Sequence, residues 1–368
     1  MSGLGLVERR RKVHHVLAPV SQLVAAVKAK NGLVLRRFIY DNVDMPNVAQ
    51  VGIHSSQFPD QVRDDLLNSL RNRSVNHKFH YDSVKQTQKW LALHQLYSPT
   101  RNDADCISIY EQSFEAAAAA MTLPQVHILG LGCGGGQKDT RLLKILARAG
   151  KQTSYTPCDV AAAMTLVARQ AALEVVRADQ CFPFACDLAS AGDLPESLTV
   201  PPPTLLTFFG MIPNFEPEQI LPKLAALVRS EDRLLFSANL APGNDYAAGV
   251  NQILPQYDNP PTREWLLTFL LDLGVERGDG ELRFSIEKVP ANGLLRVVAD
   301  FCFVQPRMIC VEKNTFAFAA GDKIRLFFSY RHTPPRLRML LEEHGLNVVE
   351  QWLAQSGEEG VFFCRRSG

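Results

Sequence analysis

The chain has 368 residues, 46% hydrophobic and 21% charged, which suits a soluble protein with one large domain carrying insertions, or two domains around a shared core. Its net charge of +1 provides no field to draw in nucleic acid or an anionic membrane surface, so the expected partner is a small molecule, with neither nucleic acid nor membrane. No run approaches the ~18 apolar residues of a membrane span, and the eight cysteines lack C-x-x-C spacing, so they read as reduced thiols of a cytoplasmic protein, with no metal site.

In chain order, residues 1–120 read as a helical N-terminal segment and cap. The first thirty residues are basic and then apolar, but Pro19, Gln22 and Lys28 interrupt the apolar part. An amphipathic helix with His14 and His15 in solvent is expected there, not a signal peptide. In 59–74, Val62, Leu66, Leu67 and Leu70 fall on one helical face. Residues 76–101 look irregular and aromatic, stopping at Ser98-Pro99. A second helix covers 103–123, with Asp103 or Asp105 as its N-cap.

From Gln125 the pattern alternates. Apolar runs at 125–132, 152–160, 181–188, 203–211 and 232–240 read as strands. Helical patterns at 138–150, 161–173 and 216–228 lie between them. This predicts an α/β core over 121–240, a parallel sheet with helices on both faces. Residues 241–330 interrupt it as an inserted lobe, a loop and helix followed by β-rich sequence. Residues 331–368 return to the sheet with a helix at 333–346 and two strands at 347–366, for six or seven sheet strands in all.

The chemistry begins at "HILGLGCGGGQKDTRLL", residues 127–143. Gly130, Gly132 and Gly135 fit G-x-G-x-x-G, whereas Gly132, Gly134 and Gly136 fit G-x-G-x-G. A glycine turn between strand and helix offers bare N–H groups to a ligand. The spacing alone leaves a dinucleotide, S-adenosylmethionine (SAM) and a plain turn open. Asp159 ends the next strand, where a carboxylate takes ribose hydroxyls in either cofactor class. Asp187, with Leu188 beside it, ends the third strand, where SAM enzymes hold adenine. Each aspartate also reads as a helix N-cap, but together they favour SAM over NAD.

The blocks "KFHYD", "LYSPTR", "LGCGGGQKDTRLL", "YTPCDV", "FFGMIPNFEP" and "DRLLFSANL" occur in this order. As a set, from about residue 58 to the C-terminus, they resemble the histidine-specific N-methyltransferases of ergothioneine biosynthesis and relatives acting on other amino acids. The resemblance implies a Rossmann-like class I SAM methyltransferase fold, with a second lobe closing over an amino-acid substrate. It further implies that Tyr81, Gly132, Gly134 and Lys138 face the methionine end of SAM, Asp159 the ribose, and Asp187 with Leu188 the adenine. Tyr97 and Asn214 match positions that hold the substrate's amino and carboxylate groups, and Tyr257 matches a substrate-binding tyrosine.

Three departures stand out. Gly130 replaces an acidic residue before the glycine loop. Asp139 is an insertion. In the last lobe strand Ser329 is kept, but Phe327 stands where a glutamate grips imidazole. Leaving an imidazole N–H unpaired in a dry pocket costs ~1–3 kcal/mol, so histidine is expected to be a poor substrate, and an apolar or aromatic group is expected against Phe327. The leading expectation is N-methylation of a small amino acid or similar amine, with Asn214, Tyr97 and Tyr257 positioning it, by a monomer or homodimer. A SAM cyclase or lyase, releasing azetidine-2-carboxylate and methylthioadenosine, is the rival. A non-catalytic SAM-binding protein is a third reading, prompted by Gly130.

Overall fold

The protein is described from a computed structural model over residues 49–367, except 199 and 202. The basic helix expected within residues 1–30, with His14 and His15, lies outside them.

The chain enters through β1 (Gly52–Ile53) and α1 (Pro59–Arg71), where Pro59 opens the helix in the position its fixed φ suits. The stretch expected to be irregular contains α2 (Val84–Tyr97), started by Ser83, whose Oγ accepts from Gln86 N at 3.1 Å. Then come α3 (Pro99–Asn102) and α4 (Ala104–Ala120). Of the two candidate caps for α4, Asp103 is the one used: it accepts from Asp105 N and Cys106 N at 2.9 and 3.1 Å.

The core follows as β2 (Gln125–Leu131), α5 (Gln137–Arg148), β3 (Gln152–Asp159), α6 (Ala162–Ala172), β4 (Phe184–Ala185), α7 (Leu194–Ser197), β5 (Thr204–Phe209), α8 (Pro217–Leu227) and β6 (Arg233–Asn239). The insertion contains two helices, α9 (Tyr246–Tyr257) and α10 (Pro260–Asp272), broken at Asn259-Pro260. Its strands are β7 (Gly280–Lys288), β8 (Leu295–Phe303), β9 (Arg307–Val311), β10 (Asn314–Phe318) and β11 (Lys323–Arg331). The chain closes with α11 (Pro334–Glu343), β12 (Leu346–Leu353) and β13 (Glu359–Arg366).

The main sheet has eight strands in the order β1-β4-β3-β2-β5-β6-β13-β12. Neighbours pair in parallel except at β13, which runs antiparallel to both β6 and β12. The extra strand over the expected six or seven is β1, two residues at the edge. Successive residues of β2 feed two different cores: Leu129 and Leu131 pack on one face, Val126 and Ile128 on the other. That two-sided burial is why the central strands read as unbroken apolar runs. Because β3 and β5 flank β2, the winding direction reverses there, and a ligand crevice is expected beyond the carboxyl ends of these strands.

The lobe forms a separate antiparallel sheet, β11-β8-β7, with β9 and β10 as a hairpin. Its core joins Trp265, Phe269, Phe301 and Phe327 to Leu70 and Phe79 of the N-terminal segment. The lobe is therefore built from two distant parts of the chain. No helix among the described residues is long and apolar enough to cross a membrane.

Candidate active site

The glycine turn after β2 is shaped by both conformation and packing. Gly132 and Gly134 have φ of +66° and +51°, a region that L side chains rarely enter. A Cβ on Gly132 would lie 2.5 Å from Met211 Sδ, and one on Gly134 would lie 3.0 Å from the Trp90 ring. The turn is tied to the next strand by Asp159, whose Oδ2 accepts from Gly134 N at 2.9 Å and whose Oδ1 accepts from Ala161 N at 3.1 Å. Burial pushes the Asp159 carboxyl up to about 6, against the pull of these backbone donors.

Beyond β4, Asp187 Oδ1 accepts from Ala189 N at 2.9 Å, and Oδ2 accepts from Ser190 Oγ at 3.0 Å. Its own N–H donates to Ser56 Oγ, just after β1, at 3.0 Å. Lys78, ion-paired with Asp65, lies 3.8 Å from Asp187. Asp159, Asp187, Leu188, Gly132, Gly134 and Tyr81 all line one cavity of about 390 Å³.

A second cavity, of about 310 Å³, adjoins the other side of the turn and is lined by Lys138, Tyr97, Thr100 and Glu359 among others. Lys138 Nζ donates to Tyr110 Oη at 2.8 Å and sits 4.4 Å from that ring. The Tyr110 hydroxyl donates in turn to Glu359 Oε1 at 2.5 Å. Burial lowers the Lys138 pKa and raises that of Glu359. Tyr81, Trp90, Met211 and Asn214 belong to the walls of both cavities. Burial also raises the Tyr81 phenol, which keeps it neutral.

Asn214 Nδ2 donates to Phe328 O at 2.7 Å, linking the core to the lobe strand β11. Tyr97 is 53% exposed at the rim of the smaller cavity. Tyr257, Phe327 and Ser329 line neither cavity. Tyr257 Oη and Ser329 Oγ are hydrogen-bonded to each other at 2.7 Å, and Arg331 Nη2 donates to Tyr257 Oη at 3.0 Å. Phe327 is packed in the lobe core, 5.9 Å from Trp265 and 6.1 Å from Tyr257. The cause is an irregularity in β11 between Arg325 and Phe327. Both Leu326 and Phe327 turn into the same core, as a bulge allows, and Phe328 lines the larger cavity instead.

Sequence reasoning missed how two of the departures answer each other. A Cβ on Gly130 would stand 2.2 Å from Asp139 Oδ2. The Asp139 carboxylate thus fills the space that a side chain at 130 would take. It is held there by Tyr155 Oη at 2.6 Å and Thr207 Oγ1 at 2.8 Å, hydroxyls from the strands flanking β2. The co-occurrence of Gly130 and Asp139 in one sequence is the signal that could have found this contact. Trp90, in the unrecognised helix α2, was also missed.

The donor set fits SAM. A buried carboxylate able to accept from hydroxyl groups and a turn with two glycines at positive φ lie at one side, and a half-buried lysine lies at the other. Comparison with known proteins agrees. A family model described as histidine-specific methyltransferase, SAM-dependent, matches residues 62–366. The N-methyltransferase imqF of Aspergillus flavus is 23% identical over 279 residues, 72% of this chain and 73% of that protein. Similar solved structures include magnesium protoporphyrin IX methyltransferase from Synechocystis PCC 6803 with bound S-adenosylhomocysteine (SAH), at 15% identity and a TM-score of 0.41, covering 78% of this chain and 97% of that one. Another is 1,6-didemethyltoxoflavin-N1-methyltransferase from Burkholderia thailandensis, at 12% identity and a TM-score of 0.37, covering 77% and 88%. The chain is a SAM-dependent methyltransferase of Rossmann-like fold, and it belongs to the histidine-specific methyltransferase family.

Proposed function

We propose that the enzyme N-methylates the amine of a small amino acid or amino-acid-like acceptor other than histidine. In this reading Gly132, Gly134, Lys138 and Tyr81 face the methionine portion of SAM, Asp159 takes the ribose, and Asp187 with Leu188 flanks the adenine. When bound, SAM supplies a methyl group activated by its sulfonium. The remaining work is positional, because a neutral amine needs only to be held in line.

The observation that carries the assignment is the wall common to both cavities. Tyr81, Trp90, Met211 and Asn214 meet there, and Asn214 spends its Nδ2 on Phe328 O. Its carbonyl oxygen is left as an acceptor for an amine N–H, which would turn the nitrogen lone pair toward the methyl. Aromatic faces at Tyr81 and Trp90 favour a nearby cation and keep water out. Tyr97 closes the rim in this arrangement. Tyr257 and Ser329 act through the lobe, steadying β11 and hence Phe328. The carboxylate of Asp139 in the space beside Gly130 supports a catalytic reading over a non-catalytic one.

The test is product analysis by mass spectrometry after incubation with SAM, with and without an amino-acid panel. A methylated amine together with SAH is expected. Methylthioadenosine released without any acceptor would replace this reading with intramolecular SAM chemistry. Intact SAM in every reaction, despite tight binding, would sink both.

A further inference from the structure

The smaller cavity contains a charge of each sign, and the site as built so far uses only one of them. Lys138 enters the cavity from the first turn of α5. Glu359 enters it from the last strand of the chain, as the first residue of β13, paired with Asn239 at the end of β6. Because β13 runs antiparallel to β6, its first residue stands at the carboxyl ends of the parallel strands, the side on which such sheets hold ligands. Glu359 is 7% exposed, and a carboxylate that deep is costly unless it is paired.

Its pairing in the protein is indirect. Tyr110 stands between the two charges, accepting from Lys138 Nζ at 2.8 Å and donating to Glu359 Oε1 at 2.5 Å. Ser237 Oγ lies 2.7 Å from the same phenol, beside the carboxyl group. Lys138 Nζ and Glu359 Oε1 are therefore no more than two hydrogen-bond lengths apart. The Tyr110 hydrogen takes up Oε1, so Oε2 is the oxygen open to a further donor. The other titratable groups of this wall are committed. Asp139 also lines the cavity, but Tyr155 and Thr207 hold one oxygen each. His94 stacks on Trp90 at 4.9 Å and 21°. Burial, with Lys138 and Arg101 nearby, lowers its pKa to about 3, so it is neutral. One cation and one available carboxylate remain.

We propose that Glu359 binds the α-ammonium at the methionine end of SAM, as the counterpart of Lys138 at the carboxylate of that end. The two groups of an amino acid sit on one carbon, so they fit a cation and an anion held one phenol apart. A zwitterion entering between opposite charges leaves none of the four uncompensated in the cavity. Tyr110 keeps the two protein charges from closing on each other, so no direct ion pair has to be broken when the ligand arrives. The inference rests on the reading that Lys138 faces the methionine portion of SAM, and extends it to a residue which that reading did not include.

The experiment measures, by calorimetry on the full chain, the binding of three probes. They are SAH, an adenosine thioether carrying a butyrate chain (the carboxylate without the amine), and methylthioadenosine, which has neither group. Wild type is expected to bind SAH about 10- to 100-fold more tightly than the butyrate thioether, the range for a charge-assisted hydrogen bond. Glu359→Gln keeps an oxygen for Tyr110. It is expected to weaken SAH by that factor, with no loss for the butyrate thioether or methylthioadenosine. If that variant does not fold, Glu359→Asp replaces it and is expected to reduce the preference for SAH. Equal binding of SAH and the butyrate thioether by wild type overturns the role of Glu359. So does a preference for SAH that survives in the variant, or an equal loss for both carboxylate-bearing probes. A preference that vanishes in Glu359→Gln, while Lys138→Met leaves SAH binding intact, would keep Glu359 and move Lys138 away from the methionine end. The same loss of preference in an enzyme that yields no methylated amine would keep Glu359 and overturn N-methylation. A methylated amine from an enzyme that binds SAH and the butyrate thioether equally would do the reverse.

Discussion

Asp159 offers the most quantitative test of the cofactor site. Its carboxyl sits at about 6 in the ligand-free protein, raised from 3.8 mainly by burial. Ribose hydroxyls donate hydrogen bonds, so they select the ionised form. A group with this pKa is about 90% ionised at pH 7 and about 10% ionised at pH 5, which weakens binding about tenfold, or ~1.4 kcal/mol. Methylthioadenosine is the suitable probe, because it carries adenine and ribose without a titrating amino-acid end. Calorimetry should show this loss in wild type between pH 7 and 5, and weaker but pH-independent binding in Asp159→Asn. The same slope in the variant, or no slope in wild type, would refute the reasoning. Stability carries the opposite sign. Since the folded pKa is raised, the favourable contribution is complete below the unfolded value near 3.8 and is lost as pH rises through about 6. Above pH 7 the ionised carboxylate costs the ligand-free fold up to about 3 kcal/mol. Asp159→Asn should therefore melt higher than wild type at pH 7.5, less an allowance of ~1 kcal/mol for a backbone donor left without its acceptor, and that advantage should vanish near pH 4.

Gly130→Ala should lower stability by about 1–3 kcal/mol, because the new methyl displaces the Asp139 carboxylate. In a double-mutant cycle read by denaturant melts, Gly130→Ala with Asp139→Ala should cost less than the two singles added, and strict additivity would contradict the packing described. Phe327→Glu should not confer histidine methylation. It should destabilise the lobe by several kcal/mol, since a carboxylate would be buried beside Trp265 and Tyr257. A stable variant that methylates histidine would show that the side chain at 327 reaches the substrate. Lys138→Met should weaken SAH binding about tenfold while leaving methylthioadenosine unaffected, as expected for a cation facing only the amino-acid end; equal losses would place Lys138 elsewhere.

The parts legible in the sequence were those where one physical cause dominates. The central strands are covered on both faces, so their apolar runs are unambiguous. Asp159 and Asp187 follow from where those strands end. Helix α2 was hidden because its buried positions include Gln86 and Thr87, while Trp90 and Leu93 pack only partly against the lobe core. No single apolar stripe survives in such a segment. The two-residue β1 owes its existence to pairing with β4, which no local pattern encodes. Phe327 was expected at the acceptor from its match to a glutamate position in the resemblance, and the irregularity between Arg325 and Phe327 in β11 is something no such match reveals.

The exchange between Gly130 and Asp139 bears on how such a site changes over generations. With Asp139 present, any side chain acquired at 130 meets its carboxylate. With Gly130 present, loss of Asp139 strands the hydroxyls of Tyr155 and Thr207 inside the sheet. Each single change is expected to cost stability, so the two positions are expected to vary together. A comparison that scores positions one at a time would see a glycine at 130 and an aspartate at 139 and miss that they touch. In three dimensions the glycine and the carboxylate are one packing unit, closed by hydroxyls from the two flanking strands.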